Sequence, residues 1–195
     1  TTNENLSRTI FSKKLLEEIG FSVIIFKAIP NKDKVLSNKI SMQEIYKKII
    51  NSNEKWSYVF EDDINIREKT KLNKIIKYEK ISDKIIYLGF LSFHRGIYHY
   101  KTKHVIDNDI VYKSKGKTKG LHAIGLSKQG AKELLFYSKK FKINSKLDRF
   151  MDVILEKYTE NNHATLVMNH KYDMYHRGLF YQDRSKFPSI IFNNN

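Results

Sequence analysis

The chain has 195 residues, no cysteine, and 36 basic against 21 acidic residues, which gives a formal net charge of +15. This length suits one domain that buries enough surface to fold without disulfide bonds. The lack of cysteine excludes a disulfide framework, a thiolate metal site and a cysteine nucleophile. The positive charge attracts phosphates, but the lysines are spread along the chain. The charge is therefore equally consistent with phosphate binding and with the Lys-, Ile- and Asn-rich composition typical of an AT-rich genome.

No apolar run approaches the roughly 20 residues that a helix needs to span a bilayer. The first residues also lack the basic start and the apolar core of a signal peptide. We therefore expect a soluble protein, located in the cytoplasm.

The N-terminal part of the chain predicts two helices on either side of a strand. Apolar residues at helical spacing predict a helix over residues 8–19, and Gly20 is its expected stop. Residues 21–29 contain the apolar run Val23 to Phe26 with mainly apolar flanks, and they predict a strand that ends at Pro30. Ser41 and Glu44 form a capping box, which predicts that the second helix begins there and runs through residue 50.

Strands and helices alternate along the remainder of the chain. The pattern predicts strands over residues 56–60, 84–88, 105–106, 110–112, 121–126 and 164–168, and helices over residues 68–78, 128–139 (capped by Ser127) and 147–158. Such alternation predicts a single α/β domain with a mainly parallel sheet. Sheets of this kind bind ligands outside the carboxyl ends of their strands.

Glu61, Asp62 and Asp63 are the most informative residues of the sequence, because they directly follow the predicted strand over residues 56–60. Adjacent carboxylates repel one another unless a cation or fixed donors balance them. A hard divalent metal ion, completed by substrate phosphates, would do so. A solvated acidic turn is an equally good interpretation of the triplet.

Three further residues are candidates for a site. Asp148 and Asp152 lie in the helix predicted over residues 147–158, and Asp148 is in its first turn, where a carboxylate also favours the helix dipole. His176 lies in an aromatic stretch and would ligate a metal through a neutral imidazole. Capping for Asp148 and a structural role for His176 are the alternatives.

The order of the segments resembles glycosyltransferase family 25, which contains lipooligosaccharide and collagen galactosyltransferases. The resemblance covers nearly the whole chain and is carried by Arg8, Phe26-Lys27-Ala28-Ile29, Ser41, Tyr58 to Asp63, Tyr87-Leu88-Gly89, His122 to Ser127, Gly130-Ala131, Leu147-Asp148, Gly178 to Asp183 and Ser189-Ile190. The Lys-, Asn- and Ile-rich style also resembles family members from giant viruses. The resemblance implies a GT-A-type glycosyltransferase domain over residues 1–195, with a mainly parallel Rossmann-like sheet flanked by helices.

The sequence departs from the family pattern at two places. Family members usually begin with an apolar strand followed by Asn-Leu-Asp-Arg. Residues 5–8 match that tetrapeptide in part, and no such apolar strand precedes them in the given sequence. We therefore expect the first strand to be missing or divergent. The Ser-His pair that often precedes the central helix is Ser41-Met42 in this chain. In the family the first strand contributes to the nucleotide pocket, so the first departure concerns the binding of the donor nucleotide.

The resemblance implies an inverting transfer of a hexose (galactose, glucose or an N-acetylhexosamine) from a UDP-sugar, assisted by Mn²⁺ or Mg²⁺. Asp63 would be the direct metal ligand and His176 a second one. Glu61 and Asp62 would bind ribose and sugar hydroxyls. The metal would stabilise the charge that develops on the diphosphate as a Lewis acid.

Two remaining roles follow from the same resemblance. Asp148 would be the base that removes the proton of the acceptor hydroxyl, and Arg177 would balance the diphosphate. The acceptor would be a collagen-like protein or a glycan, with no nucleic-acid partner. A metal-dependent nuclease and a basic nucleic-acid-binding domain are the alternatives, because carboxylates beside a basic surface also describe them.

Overall fold

The computed structural model describes residue 3 and residues 6–92, 100–106, 109–114, 118–140, 164–168 and 177–187. Within these ranges the chain forms four helices and nine strands. The helices are α1 (Ser7–Ile19), α2 (Lys34–Asn51), α3 (Leu72–Glu79) and α4 (Lys128–Lys140). The strands are β1 (Trp56–Phe60), β2 (Ile64–Ile66), β3 (Ile85–Ser92), β4 (Tyr100–Ile106), β5 (Asp109–Ser114), β6 (Thr118–Ser127), β7 (Ala164–Met168), β8 (Arg177–Gly178) and β9 (Phe180–Gln182).

Most strands belong to one seven-stranded sheet in the order β1-β6-β3-β7-β5-β4, and β8 pairs with β3 beside this path. Strands β3 and β7 pair in parallel. The other neighbours in this sheet are antiparallel. Strands β2 and β9 form a separate two-stranded antiparallel sheet.

The prediction of a mainly parallel, Rossmann-like sheet of GT-A type is therefore wrong, because the sheet is mainly antiparallel. Connection lengths give part of the physical reason. Two residues separate β4 from β5, and these two strands pair with each other. A parallel pair needs a crossover of about a dozen residues or more, so connections this short favour antiparallel neighbours. The alternation of strands and helices does not contain this information.

Apolar side chains cover both faces of the main sheet. On one face, Met42 and Tyr46 of α2 and Leu134 of α4 pack against Ile85 and Tyr87 of β3. On the other face, α1, α3 and the small sheet pack against the alternate residues of β3, Ile86 and Leu88. The period of two along β3 thus places consecutive side chains in different cores.

The second helix begins earlier than its capping box predicts. Helix α2 starts at Lys34, and the carboxylate of Asp33 accepts hydrogen bonds from the backbone N–H groups of Val35 and Leu36. The hydroxyl of Ser41, inside the helix, instead accepts a hydrogen bond from the backbone N–H of Ile29 at 2.8 Å. The capping-box pattern considers only residues that are close in the sequence. In the folded protein the Ser41 hydroxyl bonds to Ile29, so it does not cap the helix.

Residues 21–29, all of them described, have no regular secondary structure, so the predicted strand is not formed. Their apolar composition is used in packing, since Phe21 contacts the rings of Tyr58 and Phe60, each at 5.2 Å between centroids. Strand formation needs a hydrogen-bonded partner, which local composition does not specify.

Other local predictions are confirmed. Helix α1 ends at Gly20, whose φ of 113° is left-handed, and Ser127 accepts a hydrogen bond from the backbone N–H of Gly130 at the start of α4. Strands β1 and β7 have the predicted bounds, and β3 to β6 are longer than predicted. The helix predicted over residues 147–158 lies outside the described residues. Among the described residues, no helix is both long enough and apolar enough to cross a membrane.

Candidate functional site

The three carboxylates form the turn that connects the main sheet to the small sheet. Strand β1 ends at Phe60 and β2 begins at Ile64, so Glu61, Asp62 and Asp63 fill the whole connection. The backbone N–H of Glu61 donates to the carbonyl of His122 at 3.0 Å, which extends the β1–β6 pairing by one residue. The predicted position of these residues, directly after a strand of the sheet, is confirmed.

Asp62 is neutralised by a cation from the first helix. The guanidinium of Arg8 lies 2.9 Å from Oδ1 and 3.1 Å from Oδ2 of Asp62, and the two side chains are 16% and 15% exposed. The hydroxyl of Ser12, one turn further along α1, donates to the backbone carbonyl of Asp62 at 3.0 Å. Helix α1 is thus fixed to the turn by a charged contact and a neutral one.

Glu61 and Asp63 are brought together by a single amide from strand β9. The Nε2 group of Gln182 donates to Oε2 of Glu61 and lies 3.5 Å from Oδ1 of Asp63. Its Oε1 accepts a hydrogen bond from Arg184 at 3.1 Å. Two of the three carboxylates therefore point towards the same donor, while the third points towards α1.

Burial and charge repulsion raise the pKa of Glu61 to about 7. Glu61 is exposed as a whole residue, but protein atoms crowd its carboxyl group, and this desolvation is the largest cause of the increase. The charges of Asp63 and Asp62 raise the pKa further, whereas the Gln182 amide and the charge of Arg184 lower it. The site therefore disfavours the ionised form of Glu61.

The pKa of Asp63 is also raised, first by burial and then by the charge of Asp62. Arg8, Gln182 and Arg184 act in the opposite direction. Asp63 is 7% exposed, so its carboxylate has little contact with bulk water. A bound cation would favour the ionised forms of both Asp63 and Glu61.

Asp183 lies next to these groups but has a structural role of its own. It is 8% exposed, and its carboxylate accepts hydrogen bonds from Asn65 at 3.0 Å and from the hydroxyl of Ser185 at 2.7 Å. Burial raises its pKa, but these bonds and the backbone N–H of Lys186 outweigh that effect and lower it. The backbone N–H of Asp183 donates to the carbonyl of Asp63 at 2.8 Å, so the C-terminal turn supports the acidic turn.

The donor atoms of Glu61 and Asp63 fit the divalent metal that the sequence predicts. Carboxylate oxygens suit Mn²⁺ and Mg²⁺, and such ions are often bound by one or two carboxylates together with substrate phosphates and water. Among the described residues, no group of three or more His, Asp or Glu side chains is arranged to hold a metal ion. The chain's described contribution is thus the pair, whose desolvation and mutual repulsion a cation would offset.

The structure describes four of the six predicted site residues at least in part. It brings Glu61 and Asp63 together and turns Asp62 towards Arg8. The backbone of Arg177 lies in β8, where it pairs with Phe90 of β3. Asp148 and His176 lie outside the described residues, as does Asp152, a candidate with no assigned role. The roles predicted for Asp148 and His176 stay predictions.

Arg8 and Gln182 contact the carboxylates, although neither had a predicted role at the active centre. Arg8 is 54 positions from Asp62 in the sequence, and Gln182 is 121 positions from Glu61. Both lie in segments that carry the family resemblance, which is the one signal that pointed to them. Spacing along the chain gives no such indication, because the contacts join elements at opposite ends of the sequence.

Comparisons with known proteins leave the chemistry of this site to be argued from its geometry. No protein-family model matches the sequence, and a search of curated proteins gives no match. The likeness to glycosyltransferase family 25, based on the order of the motifs, stays a prediction.

Proposed function

We propose that this protein is a metal-assisted glycosyltransferase that transfers a hexose from a UDP-sugar to a hydroxyl group, with inversion at the anomeric carbon. The observation that carries the proposal is the convergence of the carboxylates of Glu61 and Asp63 on the Gln182 amide. A hard cation bound by this pair would be suited to a diphosphate leaving group. The UDP-sugar and the inversion are proposed from the order of sequence motifs that resembles family 25.

Within this proposal, Glu61 and Asp63 hold the cation, and Asp62 has a different task. Its charge is already balanced by Arg8, so Asp62 joins α1 to the turn and does not bind the cation. The metal, when bound, supplies a Lewis acid for the diphosphate oxygens. Arg184 adds a positive charge at the same edge, since its charge acts on both Glu61 and Asp63.

The transfer step needs no reactant other than the UDP-sugar and the acceptor. The acceptor oxygen forms a bond to the anomeric carbon on the face opposite to UDP, and the bond between that carbon and the phosphate oxygen breaks. UDP leaves with the bonding electron pair. The proton of the acceptor hydroxyl passes to a base, for which Asp148 stays the predicted residue.

Titration calorimetry with Mn²⁺, UDP and a panel of UDP-sugars tests the proposal. We expect UDP to bind only with Mn²⁺, and we expect Asp63→Asn to weaken this binding by about 100-fold, because it removes a charged oxygen ligand. The matched control is Asp62→Asn, which removes a neighbouring charge that Arg8 already balances. It should retain most of the affinity.

Two results would contradict the proposal. One is a folded wild-type protein that binds neither Mn²⁺ nor UDP. The other is equal binding by the wild type and Asp63→Asn. Salt-sensitive binding of DNA or RNA with Mg²⁺-dependent cleavage would instead support a nuclease.

A further inference from the structure

His122 is a fully buried polar residue that touches both halves of the candidate site. It lies in strand β6 and is 0% exposed. Its backbone carbonyl accepts the hydrogen bond from the N–H of Glu61 at 3.0 Å. Its ring nitrogen Nε2 lies 3.2 Å from the backbone carbonyl of Phe180 in β9. One residue therefore contacts the strand that leads into the carboxylates and the strand that carries Gln182.

The partner atom determines which hydrogen-bonding role the ring has. A backbone carbonyl only accepts hydrogen bonds, so Nε2 of His122 must carry the proton and donate. Burying an imidazole costs free energy that an apolar side chain of similar size would not cost. The bond to Phe180 offsets part of that cost and fixes the carbonyl at a defined distance from β6.

Gly89 of β3 provides the space in which this bond forms. A Cβ atom at position 89 would lie 2.5 Å from Cδ2 and 2.7 Å from Nε2 of His122, and 2.8 Å from the carbonyl oxygen of Phe180. Such distances are too short for non-bonded atoms, so any larger residue would displace the ring, the carbonyl or both. Residue 89 is thus constrained by the same contact as His122, although it belongs to a different strand.

The position of Phe180 matters because β9 is only three residues long, from Phe180 to Gln182. At its other end, Gln182 reaches Glu61 and Asp63. A displacement of Phe180 would be transmitted along this short strand to the amide. Residue 122 therefore contacts the site in two ways, through its backbone carbonyl to Glu61 and through its imidazole ring to β9.

We propose that His122 is a positioning residue, which holds β9 and its Gln182 amide in register with Glu61 and Asp63, and that Gly89 is required for this. The inference rests on the proposed function for its effect on catalysis. The claim that His122 holds β9 in position does not depend on that function. Both parts are therefore open to separate measurement.

The test compares His122→Leu, His122→Gln and Gly89→Ala with the wild type, under conditions where circular dichroism shows each variant folded. We expect His122→Leu and Gly89→Ala to weaken Mn²⁺ binding by about 10-fold, because outer contacts of metal ligands commonly have effects of this size. His122→Gln provides an amide donor and should recover most of the affinity. If His122 only filled space in the core, the hydrogen-bond donor of His122→Gln would not restore the affinity.

Hydrogen–deuterium exchange gives a second readout that needs no ligand. We expect faster exchange at the backbone amides of β2 and β9 in His122→Leu and Gly89→Ala, and slower exchange again in His122→Gln. Wild-type exchange and Mn²⁺ affinity in a folded His122→Leu or Gly89→Ala variant would overturn the inference. A wild type that binds no Mn²⁺, with exchange altered as expected, would overturn the proposed function and leave the positioning role supported.

Discussion

The acidic triplet divides into residues with different electrostatic environments, although they are neighbours in the sequence. Asp62 has a guanidinium partner, whereas Glu61 and Asp63 share one neutral amide. A sequence identifies the accumulation of charge but not the direction in which each side chain points. The triplet itself could therefore be predicted, but its division into a residue paired with Arg8 and two residues that share the Gln182 amide could not.

The raised pKa of Glu61 predicts a measurable dependence of stability on pH. The ordinary value is 4.5 and the value in the folded protein is about 7, so the folded state retains a proton that the unfolded state has released. This group's contribution to the free energy of unfolding therefore falls as pH rises from about 4.5 to about 7. In Glu61→Gln this contribution is absent, because the side chain is neutral at every pH.

Urea unfolding in the presence of a chelator, between about pH 5 and about pH 8, measures this effect. We expect the stability of Glu61→Gln relative to the wild type to increase with pH up to about pH 7 and then to level off, because above the folded pKa the Glu61 carboxyl is ionised in both states. A difference that stays constant would show that the pKa of Glu61 is not raised.

The contact between Arg8 and Asp62 predicts a loss of stability when it is broken. Removing one partner of a buried pair costs more than breaking an exposed pair, because the remaining charge is left unbalanced. Since both side chains are about 15% exposed, we expect Arg8→Ala to lower the free energy of unfolding by about 1–3 kcal/mol. Urea unfolding measures this loss, and the added change Asp62→Asn should recover part of it.

Lys13 on the same helix offers a matched control. Its ion pair with Glu17 spans 3.7 Å between side chains that are 44% and 49% exposed. Lys13→Ala should change the free energy of unfolding by less than about 0.5 kcal/mol. If Arg8→Ala and Lys13→Ala lowered the free energy of unfolding equally, the contact with Asp62 would contribute no more to stability than an exposed ion pair.

At the scale of elements, the predictions that succeeded depend on local signals. Gly20 ends α1 because glycine adopts a left-handed conformation without steric cost. Ser127 caps α4 because its hydroxyl reaches a free backbone N–H three residues later. The start of α2 and the state of residues 21–29 depend on partners elsewhere in the chain, and there the local patterns predicted the wrong boundary and the wrong element.

The start of α2 leads to a prediction that separates the two capping residues. Asp33 accepts hydrogen bonds from the N–H groups of Val35 at 2.8 Å and Leu36 at 3.1 Å. We expect Asp33→Ala to lower the free energy of unfolding by about 1 kcal/mol, as is typical for the loss of an N-cap. Thermal or urea unfolding measures this.

Asp33→Asn is the control, because asparagine is an equally good N-cap and should retain most of the stability. If Asp33→Ala were as stable as the wild type, the helix would not begin at Lys34.

At the scale of the whole molecule, the topology could not be predicted from strand and helix alternation. Strand β6 lies between β1 and β3 and is antiparallel to both, although β1 and β3 precede it in the sequence. Alternating apolar residues specify which face of a strand is buried, but not which strand lies beside it or in which direction. The two-residue connection between β4 and β5 was the available indication of antiparallel pairing.

This topology brings distant parts of the chain to one edge of the main sheet. Arg8 from α1, the turn after β1 and Gln182 at the end of β9 meet there, and His122 of β6 hydrogen-bonds to Glu61 and Phe180. The site is therefore a product of the tertiary fold and not of a single motif.

Cleavage of UDP-hexose donors in the presence of Mn²⁺, followed by nuclear magnetic resonance, tests the central claim most directly, because water replaces the unidentified acceptor. We predict release of UDP from at least one donor, with the hexose first appearing as the inverted anomer. The rate should fall to background with a chelator, and by about 100-fold or more in Asp63→Asn. Asp62→Asn should retain activity. Lack of cleavage of every donor, or equal rates in the wild type and Asp63→Asn, would contradict the account.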